Sequence, residues 1–131
     1  MVAPETLLAD DVVVYRGLRN SNWSRQGRIT WKAFILRPPT NEFPAEQTLS
    51  LGLSPERAVD ELRENHGTAK LVVGSVHALP HSLQVMSDRT EEGKAELYGL
   101  PLHSTEPTEI DLAITIATEL AYISVLVPPT P

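Results

Sequence analysis

The chain contains no cysteine, so disulfide bonds, thiolate zinc sites and cysteine nucleophiles are excluded. This absence is also typical of proteins from a reducing compartment. The first residues show neither the basic region nor the long apolar run of a signal peptide. No apolar run approaches the ~18 residues that a membrane-spanning helix needs. Together these absences predict a cytoplasmic protein that does not contact a membrane.

Aromatic residues are scarce, at 5% of the 131 residues, whereas hydrophobic residues of all kinds make up 41%. This composition and length suit one globular domain with a single core. We expect the domain to span residues 1–131, with flexible ends at residues 1–10 and 128–131. Because the core needs its few large rings, Trp31 is expected to be buried, and Trp23 is expected to pack a loop against the body.

Acidic residues are missing from one segment. Residues 12–41 contain no carboxylate, although the whole chain has 17 acidic residues, 11 basic residues and a net charge of -6. The same segment holds six basic residues: Arg16, Arg19, Arg25, Arg28, Lys32 and Arg37. This uneven distribution indicates that the basic segment, residues 12–38, faces something anionic. The alternative is that these cations pair with acidic residues of the same chain.

The basic segment also has the residue types that anion recognition uses. Arg16 ends a predicted strand, where its planar guanidinium can be held rigidly against a phosphate or carboxylate, and Gly17 lets a ligand approach the backbone. Tryptophans placed among cations are typical of surfaces that stack bases. The predicted binding residues are Arg16, Arg19, Trp23, Arg25, Arg28 and Lys32.

Strands and helices alternate without a regular βαβ pattern. Short apolar or β-branched segments predict strands at residues 12–15, 48–51, 71–76, 83–86, 95–100 and 124–127, and residues 29–36 predict a strand or an irregular extended segment. Ser54-Pro55-Glu56 is typical of a helix start and Gly67 of its end, and a second helix is expected from Pro107 with Thr108 as its cap. The order predicts an α+β fold, with a twisted, mostly antiparallel sheet and two main helices packed on it.

Two kinds of active site are not indicated. The four histidines lack metal-ligand spacing: His77 and His81 are four residues apart, but Pro80 between them argues against a shared helix. We therefore predict no metal site. No glycine-rich phosphate loop, nucleophile elbow or dinucleotide fingerprint is present in the sequence.

Two resemblances bear on function. Tyr15-Arg16-Gly17, Ala33-Phe34, Leu49-Ser50, the segment 98–101 and an alanine-rich last helix resemble a set of small bacterial proteins, which implies no particular activity. More remotely, an arginine, a serine and a glutamate on successive strands are similar to the layout of ADP-ribosyltransferases. That resemblance implies NAD as cofactor, with Arg16 holding its phosphate, Ser50 supporting the nicotinamide ribose and Glu96 polarising a ribose hydroxyl.

Three functional hypotheses follow. The first is a small accessory binding or interaction module that uses the basic segment to contact an acidic protein partner, a nucleotide or a nucleic acid; nucleic acid is disfavoured because the chain is acidic overall. The second is an NAD-using enzyme in which Arg16, Ser50 and Glu96 meet in one cleft. The third is a structural subunit of a homo-oligomer, in which the basic segment meets the acidic part of a neighbouring copy.

Overall fold

The structure is a computed structural model that describes residues 6–88 and 90–129. Its strands are β1 (Val13–Gly17), β2 (Ser24–Arg25), β3 (Arg28–Ile29), β4 (Leu49–Gly52), β5 (Thr68–Val72), β6 (Gln84–Ser87), β7 (Lys94–Tyr98) and β8 (Val125–Val127). The α-helices of the described part are α1 (Pro55–Val59), α2 (Val73–His77) and α3 (Pro107–Ile123), and two 3₁₀ segments span Ser21–Trp23 and Trp31–Phe34.

Six of these strands form one antiparallel sheet in the order β6-β7-β4-β1-β5-β8. β2 and β3 form a separate small hairpin, which turns at Gln26 and Gly27, both with positive φ. The predicted α+β fold with a mostly antiparallel sheet is therefore confirmed. Of the helices, α3 is long, at 17 residues, whereas α1 and α2 have five residues each.

The sheet opens between β1 and β4. β1 pairs with β5 at five positions, but it pairs with β4 only where Tyr15 lies opposite Gly52. β4 itself pairs with β7 at four positions. The two halves of the sheet therefore separate beyond the Tyr15–Gly52 pair, and a cleft forms between β1 and β4.

Side chains alternate between the two faces of the sheet. One face carries the core, with Val14, Leu51, Leu71 and Leu97 each at most 1% exposed. Buried residues of α2, α3 and the segment Trp31–Phe34 complete the same hydrophobic cluster.

Glycines let α1 approach the other face of the sheet. A Cβ at Gly17 would lie 2.2 Å from the carbonyl oxygen of Ala58, and a Cβ at Gly52 would lie 2.5 Å from the nitrogen of the same residue. α1 is held at its start as expected, because the Oγ of Ser54 accepts a hydrogen bond from the backbone N–H of Arg57. None of the described helices combines the length and the apolar character needed to cross a membrane.

Several expected element boundaries are wrong. Residues 29–36 do not form one extended segment, because β3 ends at Ile29 and a 3₁₀ segment begins at Trp31. The strand expected at 71–76 ends at Val72, and Val73 begins α2. α1 ends at Val59 and does not reach Gly67, which instead lies against β8, where a Cβ would be 2.5 Å from the carbonyl oxygen of Val127.

The first described residues contact the sheet, and the start of α3 differs from expectation. Leu7 bridges to Met86 and the N–H of Leu8 donates to the carbonyl of Val85, so the first described residues are attached to β6. The remaining residues expected to be flexible, 1–5 and 130–131, lie outside the described part. α3 is capped by Glu106 without a side-chain hydrogen bond, so Thr108 is not its cap.

Candidate anion-binding site

Within the described residues, the cations of the basic segment form no ion pair with a carboxylate. Every ion pair in the described part takes its positive partner from elsewhere, namely from Arg57, Lys94 or the histidines His66, His77 and His81. The alternative was that the six basic residues pair with the chain's own acidic residues. The described residues form no such pairs. Arg16 is buried beside the charge of Glu46, whereas the other five cations are at least partly exposed to solvent.

Arg16 is the buried member of the group, with 8% of its surface exposed. Its Nε donates to the carbonyl of Ala33 at 2.9 Å and its Nη1 to the carbonyl of Ser50 at 3.2 Å. Burial lowers the pKa of Arg16 to about 10. The negative charge of Glu46 opposes this effect, and the positive charge of the neighbouring Arg19 reinforces it. Arg16 thus ties the 3₁₀ segment to β4 while its guanidinium borders the cleft between β1 and β4.

Trp23 packs against two of these cations. The guanidinium carbons of Arg16 and Arg19 lie 5.1 Å and 5.0 Å from the centre of its ring, within the range of cation–π attraction. Trp23 is 9% exposed and belongs to the core cluster. Its buried ring holds the start of the basic segment against the body of the protein.

Trp31 is placed differently from expectation. It is 36% exposed, so the prediction that Trp31 is a core residue is wrong. The reason is local: Trp31 begins a 3₁₀ turn that directs Ala33 and Phe34 inward, where they are at most 1% exposed. Phe34 fills the core position, and the Trp31 ring is left at the surface.

A shallow depression of about 360 Å³ gathers three of the cations. Its charged lining residues are Arg19, Lys32 and Arg37, and no carboxylate of residues 6–88 or 90–129 lines it. Asn20 and Asn22 add amide groups, and both tryptophans contribute to its wall. We call this feature the basic depression; its three cations, two amides and exposed aromatic surface can hold an anionic group.

Arg37 is in the basic segment but was absent from the predicted binding residues. Its two terminal nitrogens donate to the carbonyls of Pro38 and Pro44, and its guanidinium carbon lies 5.6 Å from the centre of the Phe43 ring. These contacts hold the side chain in one orientation at the edge of the depression. The only sequence signal was its place in the acid-free segment, since the contacts with residues 38–44 depend on how that loop folds.

The structure separates the remaining predicted residues from this depression. Arg25 and Arg28 lie opposite each other on the β2–β3 hairpin, and both are exposed. Arg28 lines a different depression, together with residues of α3. The six cations therefore occupy three places: Arg16 in the sheet, three around the basic depression and two on the hairpin.

The cleft between β1 and β4 has mixed charge. It encloses about 240 Å³, and its cationic lining residues are Arg16, Arg19 and Lys94. Its carboxylates are Glu46, Glu61, Asp88 and Glu91. Lys94 is already paired with Asp60 at 2.9 Å, so the cleft is a weaker anion site than the basic depression.

The residues of the ADP-ribosyltransferase resemblance are neighbours, and Arg16 and Ser50 both line the cleft between β1 and β4, but Glu96 is not among the residues that line it. Ser50 lies opposite Glu96 on adjacent strands, and Arg16 contacts the backbone carbonyl of Ser50. By strand alternation, Arg16 shares the core face with Val14, whereas the side chains of Ser50 and Glu96 project from the opposite face. The Glu96 carboxylate accepts hydrogen bonds from the hydroxyls of Thr48 and Tyr98.

The histidines serve structural contacts. Nε2 of His77 accepts the N–H of Val85, which leaves the proton on Nδ1, and Nδ1 faces Asp10 at 3.1 Å. His81 contacts the carboxylate of Glu119 on α3. Within residues 6–88 and 90–129, no group of three or more histidine, aspartate or glutamate side chains is arranged to hold a metal ion.

The fold and the site define a small α+β domain with a basic surface that forms no ion pairs with the carboxylates of the described residues. Comparisons with protein-family models, with curated proteins and with solved structures find no match to this chain. The two resemblances that the sequence suggested therefore stay predictions, and function has to be argued from the site itself.

Proposed function

We propose that this protein is a small accessory binding module that uses its basic segment, residues 12–38, to contact an anionic ligand or an acidic partner. The observation that carries the proposal is the basic depression, which brings Arg19, Lys32 and Arg37 together and has no carboxylate of the described part in its lining. Three like charges held close together repel one another, so an anion that enters the depression relieves that repulsion. A cytoplasmic location, suggested by the lack of cysteine, is part of the same proposal.

The depression favours an anion that also has a flat or apolar part. The exposed Trp31 ring offers a surface for stacking, and Ile35 and Pro38 add apolar wall. Arg19 and Arg37 both have planar guanidinium groups, which suit carboxylates and phosphates because they can donate two parallel hydrogen bonds. An acidic protein segment and a nucleotide both meet this description. A long nucleic acid is disfavoured, because the net charge of -6 repels the rest of a polyanion.

A binding comparison between two lysine variants tests the proposal. Lys32→Glu reverses a charge in the depression, whereas Lys70→Glu reverses the exposed lysine of β5, outside the depression. Calorimetric titration with polyglutamate and with ATP, at low and high salt, gives the dissociation constants. We expect binding by the wild type and by Lys70→Glu, and loss of binding by Lys32→Glu. Equal affinities of the two variants, or no binding by the wild type to either probe, would overturn the proposal.

A second candidate is the NAD-using enzyme that the ADP-ribosyltransferase resemblance implies. The observation in its favour is that Ser50 and Glu96 lie side by side across β4 and β7, next to the strand that carries Arg16. The observation against it is that Arg16 is on the other face of the sheet and already donates to two carbonyls. A catalytic group has to be within hydrogen-bond reach of its target, so this is the weaker of the two candidates.

NAD cleavage provides the test of this candidate. The wild type and Glu96→Gln are incubated with NAD, and the release of nicotinamide is measured. The enzyme hypothesis predicts release by the wild type and a loss of at least about a hundredfold in Glu96→Gln. Absence of nicotinamide release from the wild type excludes hydrolysis of NAD and leaves the binding module as the function that the site supports.

A further inference from the structure

Apolar side chains are exposed along one side of α3. Tyr122 is 86% exposed, Leu102 is 56% exposed and Ile110 is 40% exposed, and the Trp31 ring lies beside them. Val125, just beyond the end of α3, is exposed as well. Contiguous apolar surface of this kind marks interaction sites.

Two depressions follow each other along this side of the helix. The first, of about 230 Å³, is lined by the start of α3 at Ile110 and Ile114 and by Leu102. The second, of about 550 Å³, is lined by the end of α3 at Thr118 and Tyr122. Trp31 lines both, so it stands between them.

The residues of α3 that line the two depressions are three or four positions apart and therefore form one continuous stripe on the helix. We call this stripe, with Trp31, Leu102 and Val125, the α3 face.

The α3 face has opposite charges at its two ends. Glu109 lines the depression at the start of α3, and Glu106 and Asp111 are exposed beside it in the sequence. Arg28 lines the depression at the end of α3, with Arg25 opposite it on the hairpin. Neither Glu109 nor Arg28 forms an ion pair within the described residues.

A partner for this face must be apolar in the middle, basic where it meets Glu109 and acidic where it meets Arg28. A purely acidic partner is repelled by Glu109 and a purely basic one by Arg28. A second copy of the α3 face, turned end to end, has this distribution of charge and apolar surface. Trp31 lies between the two halves, and about 20 Å of helix separates residues 109 and 122 at 1.5 Å per residue.

We infer that the α3 face binds a second copy of this chain in a two-fold symmetric dimer. The two α3 helices run antiparallel across the axis, with the Trp31 rings near it. Glu109 then meets the partner's Arg28, and the same contact is repeated on the other side, as a two-fold interface requires. This dimer uses none of the charged residues of the basic depression, but the two surfaces share Trp31.

Reversing the charge of Arg28 or Glu109, at the two ends of the α3 face, tests whether the face forms the dimer. The masses of the wild type, Arg28→Glu, Glu109→Arg and a mixture of the two variants are measured by sedimentation equilibrium across a wide range of protein concentrations. We expect a concentration-dependent dimer for the wild type and dimerisation at least about tenfold weaker for each single variant, because each places like charges together twice. The mixture should form a mixed dimer, since both contacts are then between opposite charges.

Matched reversals at other exposed sites serve as controls. Arg63→Glu and Glu42→Arg change the net charge by the same amounts but lie outside the α3 face, so we expect both to dimerise like the wild type. A wild type that is monomeric at every concentration overturns the inference. The inference is also overturned if the mixture of the two variants stays as monomeric as each variant alone. The same holds if the control variants weaken dimerisation as much as Arg28→Glu and Glu109→Arg do. Urea unfolding of each variant verifies that it is folded.

Discussion

Arg16 shows how far a single residue can be interpreted from sequence. Its position at the end of a strand followed by glycine could be predicted, because a β-branched run before Tyr15 defines β1. Its burial could not, because that depends on the carbonyls of Ala33 and Ser50, which are 17 and 34 positions away in the chain. A buried arginine that donates to backbone carbonyls stabilises the fold. The anion-binding proposal therefore depends on the surface cations around Arg19.

Thr68 presents a second buried polar group. It is 2% exposed, and its hydroxyl has no hydrogen-bond partner among the described residues. An unsatisfied buried hydroxyl destabilises the folded state, so we expect Thr68→Val to raise the free energy of unfolding by about 1 kcal/mol. Thr68→Ser keeps the hydroxyl but removes a methyl group, and we expect it to lower stability by about 1 kcal/mol. Urea denaturation measures both; a valine variant less stable than the wild type would contradict the prediction.

Asp60 makes stability depend on pH. A hydrogen bond from Lys94 lowers the pKa of the Asp60 carboxyl below its ordinary value of 3.8, and Arg57 contributes in the same direction. Because the folded-state pKa is below the unfolded one, the stabilisation is present above about pH 4 and is lost as the pH falls through the folded-state pKa.

We therefore expect Asp60→Asn to be less stable than the wild type near neutral pH and to approach the wild type in acid. Urea midpoints across this pH range measure the difference. Glu42→Gln is the control, because Glu42 has no ion pair in the described part of the chain. A stability difference for Asp60→Asn that does not change with pH would mean that the carboxylate acts through packing rather than charge.

At the scale of elements, α1 depends on the absence of side chains beneath it. A Cβ at Gly17 would lie 2.2 Å from the Ala58 carbonyl oxygen and 3.0 Å from Leu62, so Gly17→Ala has to displace α1 from β1. We expect it to lower the free energy of unfolding by about 3 kcal/mol. Gly27→Ala is the comparison, because its φ of +79° is strained for alanine but no atom lies within 4 Å of the new Cβ, which predicts a cost of about 1 kcal/mol. Equal costs, measured by urea denaturation, would show that α1 does not depend on this close approach.

The strands were predictable where the signal is local. β1, β4, β6, β7 and β8 lie within about two residues of the predicted segments, because apolar and β-branched runs between turn residues are characteristic of buried strands. The start of α1 was also predictable, since Ser54 and Pro55 act within one turn of the chain.

The errors occurred where packing decides between alternatives. Residues 71–76 are mostly apolar, which fits a strand and a buried helix equally, and the chain uses both in succession. Trp31 was expected inside because large rings usually are, but the 3₁₀ turn places Phe34 there instead. No periodicity in the sequence distinguishes the Trp31 ring from the Phe34 ring, so only the fold shows which of the two is buried.

At the scale of the whole molecule, the charges are segregated. The basic segment contains no acidic residue, in a chain whose net charge is -6, so one surface attracts anions while most of the molecule repels them. The sequence was sufficient to predict this asymmetry and to name Arg19 and Lys32. It was not sufficient to separate them from Arg25 and Arg28, because the hairpin that carries these two away forms only in three dimensions.

This segregation predicts a limited salt dependence. With a single-stranded oligonucleotide as a polyanionic probe, contact with the three cations of the basic depression gives a slope of log K against log salt of about -2. Lys32→Glu should make the slope shallower, and Lys70→Glu should leave it unchanged. Fluorescence titration at several salt concentrations measures it. A much steeper slope would mean that Arg25 and Arg28 share the same ligand, which would join two surfaces that we describe as separate.

The two outer strands of the sheet restrict how copies of the protein can assemble. β6 is met by Leu7 and Leu8 at its free edge, and β8 is three residues long and is followed by Pro128 and Pro129, which have no N–H to donate. Neither edge offers a long unpaired row of backbone groups to another chain. The described edges therefore give little opportunity for the edge-to-edge strand pairing that leads to open-ended fibrils.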